Sequence, residues 1–254
     1  MRRTLVAFLA VLASTSLFGC AGLFQSQVPG PRQNASVVDY LYPDTASPPK
    51  LTESQITLRP PVRVGIAFVP GGNWNSDIPG QQQMKLAEQI KNAFSAQPFI
   101  ASIEIIPSGY LRPKGGFDDL QNISRVFQVD IVALLSYDQI QFNDTNALAF
   151  GYWTLVGAYV LHGDQFDVQT LVDASVFDIA SQRLLFEAPG TDRMKGTASI
   201  IGFSEAARTA RNGGFERAVA DMIPKLNSAL TQYRERIKAD PSVHVERRPG
   251  YQGG

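Results

Sequence analysis

The chain has 254 residues, of which 44% are hydrophobic, and its 23 basic and 23 acidic residues cancel at pH 7. This length suits one globular domain with a tether. The charge balance argues against nucleic acid as a partner, because phosphate binding needs a basic surface. The single cysteine excludes an intramolecular disulfide.

The start of the chain has the pattern of a bacterial lipoprotein signal. Arg2 and Arg3 precede an apolar run over residues 5–12, which has the length of a signal-peptide core and is too short to span a bilayer. A lipobox follows, made of Leu17, Phe18, Gly19 and Cys20. We therefore expect residues 1–19 to be removed as a signal peptide and the Cys20 thiol to be acylated. The alternative is an ordinary secretory peptide with a cysteine nearby by chance.

Acyl chains on Cys20 would make the membrane a partner of the mature protein. Two or three such chains anchor a protein stably, whereas a single chain binds reversibly. Ala21 stands where an Asp would signal retention in the inner membrane. We therefore expect an outer-membrane lipoprotein of the bacterial envelope that faces the periplasm.

Residues 20–60 are predicted to be a lipid-anchored tether, because they are rich in proline, glutamine, serine and asparagine and show little periodicity. An apolar island at residues 37–43 interrupts this polar segment. Two interpretations are open: the island packs on the protein's own body, or it docks on a partner subunit.

The globular domain is predicted to cover residues 61–238 and to begin with a βαβαβ unit. Strands are predicted at residues 62–69, 103–106 and 129–135, and helices at residues 81–96 and 117–127. The last strand is an unbroken apolar run, which is typical of a central strand covered on both faces. The order favours parallel strands with right-handed crossovers.

The second half predicts antiparallel structure. Residues 150–161 carry no charge and are rich in aromatic and β-branched types, so we expect a strand that is core, an oligomer contact or a membrane-touching edge. Residues 166–179 and 183–187 predict a hairpin, which is followed by a polar stretch after Pro189 and Gly190.

Two helices are predicted to end the domain. A small helix capped by Ser204 would end at Gly213 and Gly214, and a long helix over residues 215–237 would be kinked at Pro224. Residues 239–254 are predicted to be a polar, flexible tail. The fold class is therefore α/β (α+β): a mixed sheet with an amino-terminal βαβαβ unit, a carboxy-terminal antiparallel hairpin and a long terminal helix.

This order of elements resembles the globular domains of outer-membrane secretion lipoproteins. The hairpin residues 177–179 and 183–186 are similar to the pattern in the curli secretion channel lipoprotein and in the amino-terminal domain of the Tol-system periplasmic protein. The resemblance implies a structural role in an envelope complex and carries no catalytic residue.

The chain also resembles the rhombotarget lipoproteins, in its lipobox and in residues 37–43, 152–159, 184–190 and 250–254. The resemblance implies an association with rhombosortase, an intramembrane protease that recognises a Gly-Gly pair near a carboxy-terminal membrane segment. Gly253 and Gly254 are therefore a candidate processing or recognition tail. No apolar segment follows Gly254, which argues against cleavage, and a frayed terminus is the alternative.

A loop after the first strand of the βαβαβ unit is the best candidate for ligand binding. Ligands gather at the carboxyl ends of strands in open α/β sheets, and paired glycines allow close backbone approach. The candidate residues are Gly71, Gly72, Asn73 and Trp74. The loop has neither the Lys-Ser/Thr of a phosphate loop nor the third glycine of a dinucleotide fingerprint, and a plain connection is the alternative.

No combination of residues predicts catalysis or a metal site. His162 and His244 lack metal-ligand spacing. Asp118 and Asp119 are placed at a helix start, where carboxylates favour the helix dipole. The carboxylates of a predicted strand, Asp164, Asp167 and Asp173, are expected to face solvent. We therefore expect no enzyme, no cofactor and no metal.

Two functions follow from these observations. The first is a non-enzymatic envelope lipoprotein that acts as a scaffold or as an assembly or secretion factor, either as a homo-oligomer or with another envelope protein. The second is a periplasmic lipoprotein that binds a small ligand or a glycan.

Overall fold

The structure is a computed structural model that describes residues 28–43, 55–71, 78–145, 164–198 and 203–249. In chain order, its elements are β1 (Val28–Ala35), α1 (Val37–Leu41), β2 (Ile56–Leu58), β3 (Val62–Phe68), α2 (Gly80–Phe94), β4 (Ile100–Ile106), α3 (Gly116–Phe127), β5 (Ile131–Thr145), β6 (Asp164–Asp178), β7 (Arg183–Ala198), α4 (Phe203–Ile237) and β8 (Val243–Val245).

The main sheet is mixed, which confirms the predicted fold class. Its strands run in the order β4-β3-β5-β6-β7, with β1 also paired to β5. The strands β4, β3 and β5 are parallel and are connected by α2 and α3, as the βαβαβ prediction requires. β6 and β7 are antiparallel to their neighbours and form the predicted hairpin.

Helices cover both faces of this sheet. α2 and α4 contact each other, and α4 packs on β6 and β7. Val176 of β6 faces this side, so the next side chain, Phe177, points to the opposite face. There, Phe177 and Tyr42 stack edge-on against Phe117 of α3, each pair with its ring centroids 5.9 Å apart.

The amino-terminal segment differs from the predicted tether, because residues 28–43 belong to the globular body. β5 is twice as long as β3, and β3 pairs only with its first residues, up to Leu135. β1 pairs with the rest of the same edge, from Tyr137 to Asn143. Prolines are tolerated in such an edge strand, so Pro29 and Pro31 did not prevent pairing.

The apolar island packs on the protein's own body, which is the first of its two interpretations. Val37, Tyr40 and Leu41 of α1 are buried, while Val38 between them is exposed.

The hairpin is longer than predicted. β7 continues through Pro189 and Gly190 to Ala198, where a polar stretch was expected. A Cβ atom at Gly190 would overlap the carbonyl of Ala218 in α4, so glycine permits the helix to approach β7 closely here. The turn of the hairpin is fixed by Asp178, whose carboxylate accepts hydrogen bonds from the backbone N–H and the hydroxyl of Ser181.

The two predicted terminal helices are one continuous helix of 35 residues, α4. It does not begin anew after Gly213 and Gly214, and it continues across Pro224. A Cβ atom at Gly214 would lie 2.5 Å from the hydroxyl oxygen of Thr170. Close contact with the sheet therefore explains this glycine, whereas the sequence pattern indicated a helix end. Among the helices that the structure describes, none is long and apolar enough to cross a membrane.

The carboxy-terminal segment also differs from the predicted flexible tail. β8 pairs with β2 in parallel, from Val243 opposite Ile56 to Val245 opposite Leu58. Residues 243–248 therefore lie against the body instead of extending from it.

Asp119 is a buried polar anchor between α1 and α3. Its carboxylate is 3% exposed and accepts hydrogen bonds from the Tyr40 hydroxyl (3.1 Å) and from the backbone N–H and Nε of Arg112 (both 2.9 Å). Burial, followed by the charge of Asp119, raises the pKa of Tyr40 far above its ordinary value, so this hydroxyl remains a donor. Asp119 thus joins α3 to the amino-terminal segment and is part of no acid/base pair.

Replacing Asp119 tests this anchor. We expect Asp119→Ala to lower the free energy of unfolding by about 2–3 kcal/mol, because it leaves the buried Tyr40 hydroxyl without its acceptor. The exposed neighbour Asp118 provides the matched control, and Asp118→Ala is expected to change stability by no more than about 1 kcal/mol. Urea denaturation measures both, and equal losses would contradict the assignment.

Candidate ligand-binding cavity

A cavity of about 320 Å³ lies between the main sheet and the two helices α2 and α4. Interiors of proteins are close-packed and contain few voids larger than a water molecule. The volume falls in the range of small-molecule sites, at its lower end. The cavity is therefore a candidate binding site.

The walls of the cavity come from the three parallel strands, from β6 and β7, and from two helical stripes. Strand side chains alternate between faces, and helical side chains three or four residues apart share a face, so each stripe is a consequence of the sequence period. The strand residues include Val62, Val64, Ile66, Ile103, Ile131 and Ala133, and the helical residues include Ile90, Phe94, Leu226, Leu230, Tyr233 and Ile237.

The charged groups that line the cavity are three basic side chains. Arg234 and Lys238 lie at the carboxyl end of α4, Arg247 follows β8, and all three are exposed to solvent. The Arg234 guanidinium lies 4.8 Å from the centroid of the Phe99 ring, and Lys238 forms an ion pair of 2.7 Å with Glu235. None of the described residues that line the cavity is acidic.

Tyr233 is the one buried polar side chain among the described residues of the cavity lining. It is 6% exposed, and its hydroxyl has no hydrogen-bond partner among the described residues. Burial raises the pKa of Tyr233 to about 12, so the hydroxyl is neutral and keeps its proton at physiological pH. A buried hydroxyl without a partner is uncommon, and one explanation is a ligand that supplies an acceptor.

A strap made of β2, β8 and the residues after β8 closes one side of the cavity. Leu58, Val245 and Arg247 of this strap line the cavity, and Leu58 pairs with Val245 between the two strands. Hydrogen bonds from the backbone N–H of Glu246 to Leu58 and from that of Arg248 to Pro60 extend the pairing of the two strands.

Asp130 holds the strap to the sheet. Its carboxylate accepts hydrogen bonds from Arg63 (2.8 Å) and from Arg248 (2.6 Å), which lies at the end of the strap. Burial by itself raises the pKa of Asp130, but the hydrogen bonds from Arg63 and the charge of Arg248 outweigh it, and the pKa is lower than its ordinary value.

Of the predicted site residues, only Gly71 is described by the structure, and it does not line this cavity. Gly71 is described, half-buried after β3, at the opposite end of that strand from the cavity residues Val62 and Val64. The remaining candidates lie outside the described residues: Gly72, Asn73, Trp74, Gly253, Gly254, and the lipobox of Leu17, Phe18, Gly19 and Cys20.

The other candidates from the sequence form no reactive group in the part of the chain that the structure describes. His244 is exposed on β8, and His162 and the apolar residues 150–161 lie outside the described residues. No cluster of three or more His, Cys, Asp or Glu side chains that could hold a metal is found among the described residues.

The prediction that the carboxylates of β6 face solvent is wrong for Asp167. This residue is 8% exposed and pairs with Arg193 at 2.6 Å. The hydrogen bond from Arg193 lowers the pKa of Asp167, and the ion pair links β6 to β7. Asp173 is half-buried, and burial raises its pKa. The side chain of Asp164 lies outside the described residues.

The sequence did not predict the cavity, although it predicted the elements that form most of its walls. Leu226, Leu230, Tyr233 and Ile237 belong to one apolar stripe of the helix predicted over residues 215–237. One sequence signal for the cavity was available, the basic pair Arg247 and Arg248 in the segment predicted to be a tail. A tail can fold back on the domain, and its basic side chains then lie near the carboxyl end of the last helix.

No protein-family model and no curated protein matches this chain. Among solved structures, a variant of the PelC dodecamer from Paraburkholderia phytofirmans matches with 14% identity and a TM-score of 0.30, over 77% of this chain and 97% of that one. A second PelC dodecamer from the same organism matches with 12% identity and a TM-score of 0.30, over 78% and 96% of the two chains. Similarity at this level supports no conclusion about the present chain.

The contact between Asp130 and Arg248 predicts how the strap depends on sequence and pH. Both side chains are about one-third exposed, so we expect Arg248→Gln to cost about 1 kcal/mol, or about fivefold in the hydrogen-exchange protection of β8. A carboxyl group whose pKa is lowered by folding stabilises the protein above its unfolded pKa of about 3.9.

This contribution is lost as the pH falls through the lower folded pKa, so the wild type and Arg248→Gln should converge in strongly acidic buffer. Arg247→Gln, one residue earlier and without contact to Asp130 in the described structure, is the control and should leave the protection of β8 unchanged. A strap equally protected in all three proteins would exclude this role of Asp130.

Proposed function

We propose that this chain is a non-enzymatic, lipid-anchored protein of the bacterial envelope whose globular domain binds an apolar small ligand. The observation that carries the proposal is the cavity of about 320 Å³ with apolar walls, whose lining includes Tyr233 with a buried hydroxyl that has no partner among the described residues. Pockets of this kind, mostly apolar with a few placed polar groups, are the usual form of small-molecule sites.

The anchor is proposed from the sequence. Cys20 ends a lipobox that follows a short apolar run and two arginines, and acylation there would hold the domain at a membrane surface. A domain held at a membrane has direct access to apolar molecules, which are scarce in the aqueous phase.

Filling the cavity tests ligand binding. Ala133 lines the cavity, and the larger side chain of Ala133→Leu would occupy the space of a ligand. We expect this variant to remain folded and to bind the neutral apolar dye N-phenylnaphthylamine at least about tenfold more weakly than the parent protein. The measurement is a fluorescence titration in a full chain whose Cys20→Ser substitution removes the acylation thiol.

The matched control lies on the neighbouring strand and the opposite face. Ala67 is 1% exposed and does not line the cavity, so Ala67→Leu overpacks a filled core. We expect it to cost about 1–3 kcal/mol of stability and to leave dye binding intact. Dye binding that is equal in parent and Ala133→Leu would refute a ligand site in this cavity.

Lipid anchoring is tested by metabolic labelling with palmitate. The full chain should incorporate the label and sediment with membranes, and Cys20→Ala should lose both properties. Phe18→Ala replaces the bulky lipobox residue by one that is common there, so this control should retain the label. Label retained by Cys20→Ala would show that the anchor is elsewhere.

The alternative is the scaffold role, for which the edge of β7 is the favourable observation. β7 pairs with β6 on one side, and no other described strand pairs with it. Such an edge presents backbone donors and acceptors to a strand of another chain. Crosslinking followed by sizing of the palmitate-labelled chain in mild detergent tests this alternative. A strictly monomeric chain would exclude the scaffold role.

A further inference from the structure

We infer that the cavity binds a single acyl chain that carries an anionic head group, with the chain along the apolar walls and the head group at Arg234, Lys238 and Arg247. This inference rests on the proposed function, because it specifies the ligand of the same cavity.

The charge around the cavity favours an anion. Three basic side chains and no acidic one are found among its described lining residues. Glu235 pairs with Lys238 at 2.7 Å and offsets part of its charge, whereas Glu246 pairs at 3.0 Å with Arg59, which is outside the lining. A cationic ligand would be repelled here, whereas an anionic head group is complementary to this end of the cavity.

Two of these charges adjoin the apolar wall. Arg234 lies in the last turn of α4, and Lys238 directly follows its last residue, Ile237, whose neighbours on the same stripe are Tyr233 and Leu230. Arg247 belongs to the strap. Charged and apolar groups are therefore contiguous at the end of α4, which matches the two parts of an amphiphile.

The volume limits the ligand to one chain. At about 320 Å³ the cavity is near the lower bound of small-molecule sites, and a lipid with two long chains would leave most of its apolar surface outside. Both a free fatty acid and a lysophospholipid have the required chemistry.

Photocrosslinking of the full chain in membrane vesicles tests the ligand class. Three diazirine probes with the same alkyl chain are used: hexadecanoate, a lysophosphatidylglycerol and the neutral hexadecanol. We expect the two anionic probes to label cavity-lining peptides of β3, β5 and α4 about tenfold more efficiently than the alcohol. The stronger of the two anionic probes identifies a carboxylate or a phosphate head group.

Competition by unlabelled carboxylates of increasing length tests the position of the chain. Each CH₂ group buried in an apolar site adds about fourfold in affinity, so potency should rise by about that factor per carbon until the cavity is filled. Potency that is independent of chain length would overturn the placement of the chain in the cavity.

Variants separate the head-group contacts from the cavity itself. Arg234→Gln combined with Arg247→Gln should reduce labelling by the anionic probes about tenfold and leave labelling by the alcohol unchanged. The control, Arg208→Gln with Lys225→Gln, removes two exposed charges from α4 outside the cavity lining and should have no effect.

The outcomes distinguish this inference from the proposed function. Equal cavity labelling by the anionic probes and the alcohol would overturn the anionic head group and leave an apolar site in place. Absence of cavity labelling by all three probes would overturn both. Loss of labelling by all three probes in the variant with Arg234→Gln and Arg247→Gln would also contradict the head-group assignment. The two arginines would then be required for binding of the neutral alcohol as well as for binding of the anions.

Discussion

The packing of α4 on the main sheet is the contact on which the rest of the structure depends. In the first half of the helix, Gly214 lies against Thr170, and Ala218 lies against Gly190 of β7, so the backbones approach closely. In the second half, large side chains such as Leu226 and Tyr233 replace these small contacts, and the cavity lies there. The first half of α4 thus packs closely on the sheet, and its second half borders the cavity. The difference arises because the residues that contact the sheet are small in the first half and large in the second.

Two buried or half-buried carboxylates attach the ends of the chain to this framework. Asp119 accepts hydrogen bonds from Tyr40 and Arg112 and so holds the amino-terminal segment against α3. Asp130 binds Arg63 of β3 and Arg248 of the strap. The partners of both carboxylates come from distant parts of the chain, which explains why segments that are polar and proline-rich in sequence are ordered parts of the body.

The proposed function combines two features that are independent of each other. The lipobox ending at Cys20 is a property of the sequence, and the cavity is a property of the fold. Their combination is physically consistent, because an apolar ligand with an anionic head group partitions to the same membrane surface as the acylated chain. The basic residues at one end of the cavity are few and local, which agrees with a chain whose net charge is zero.

The sequence by itself determined β3, the apolar first half of β5, the part of the hairpin of β6 and β7 next to its turn, and the apolar stripe in the second half of α4. It also determined that the island around Tyr40 must be buried, because such a cluster does not stay in water. Only the tertiary structure decided the rest. β1 pairs although it contains two prolines, since the long β5 offers a free edge. Gly190 and Gly214, which indicate ends of elements in sequence, are contact points. The cavity and its basic rim join residues from Val62 to Arg247, and no local pattern contains the distances between them.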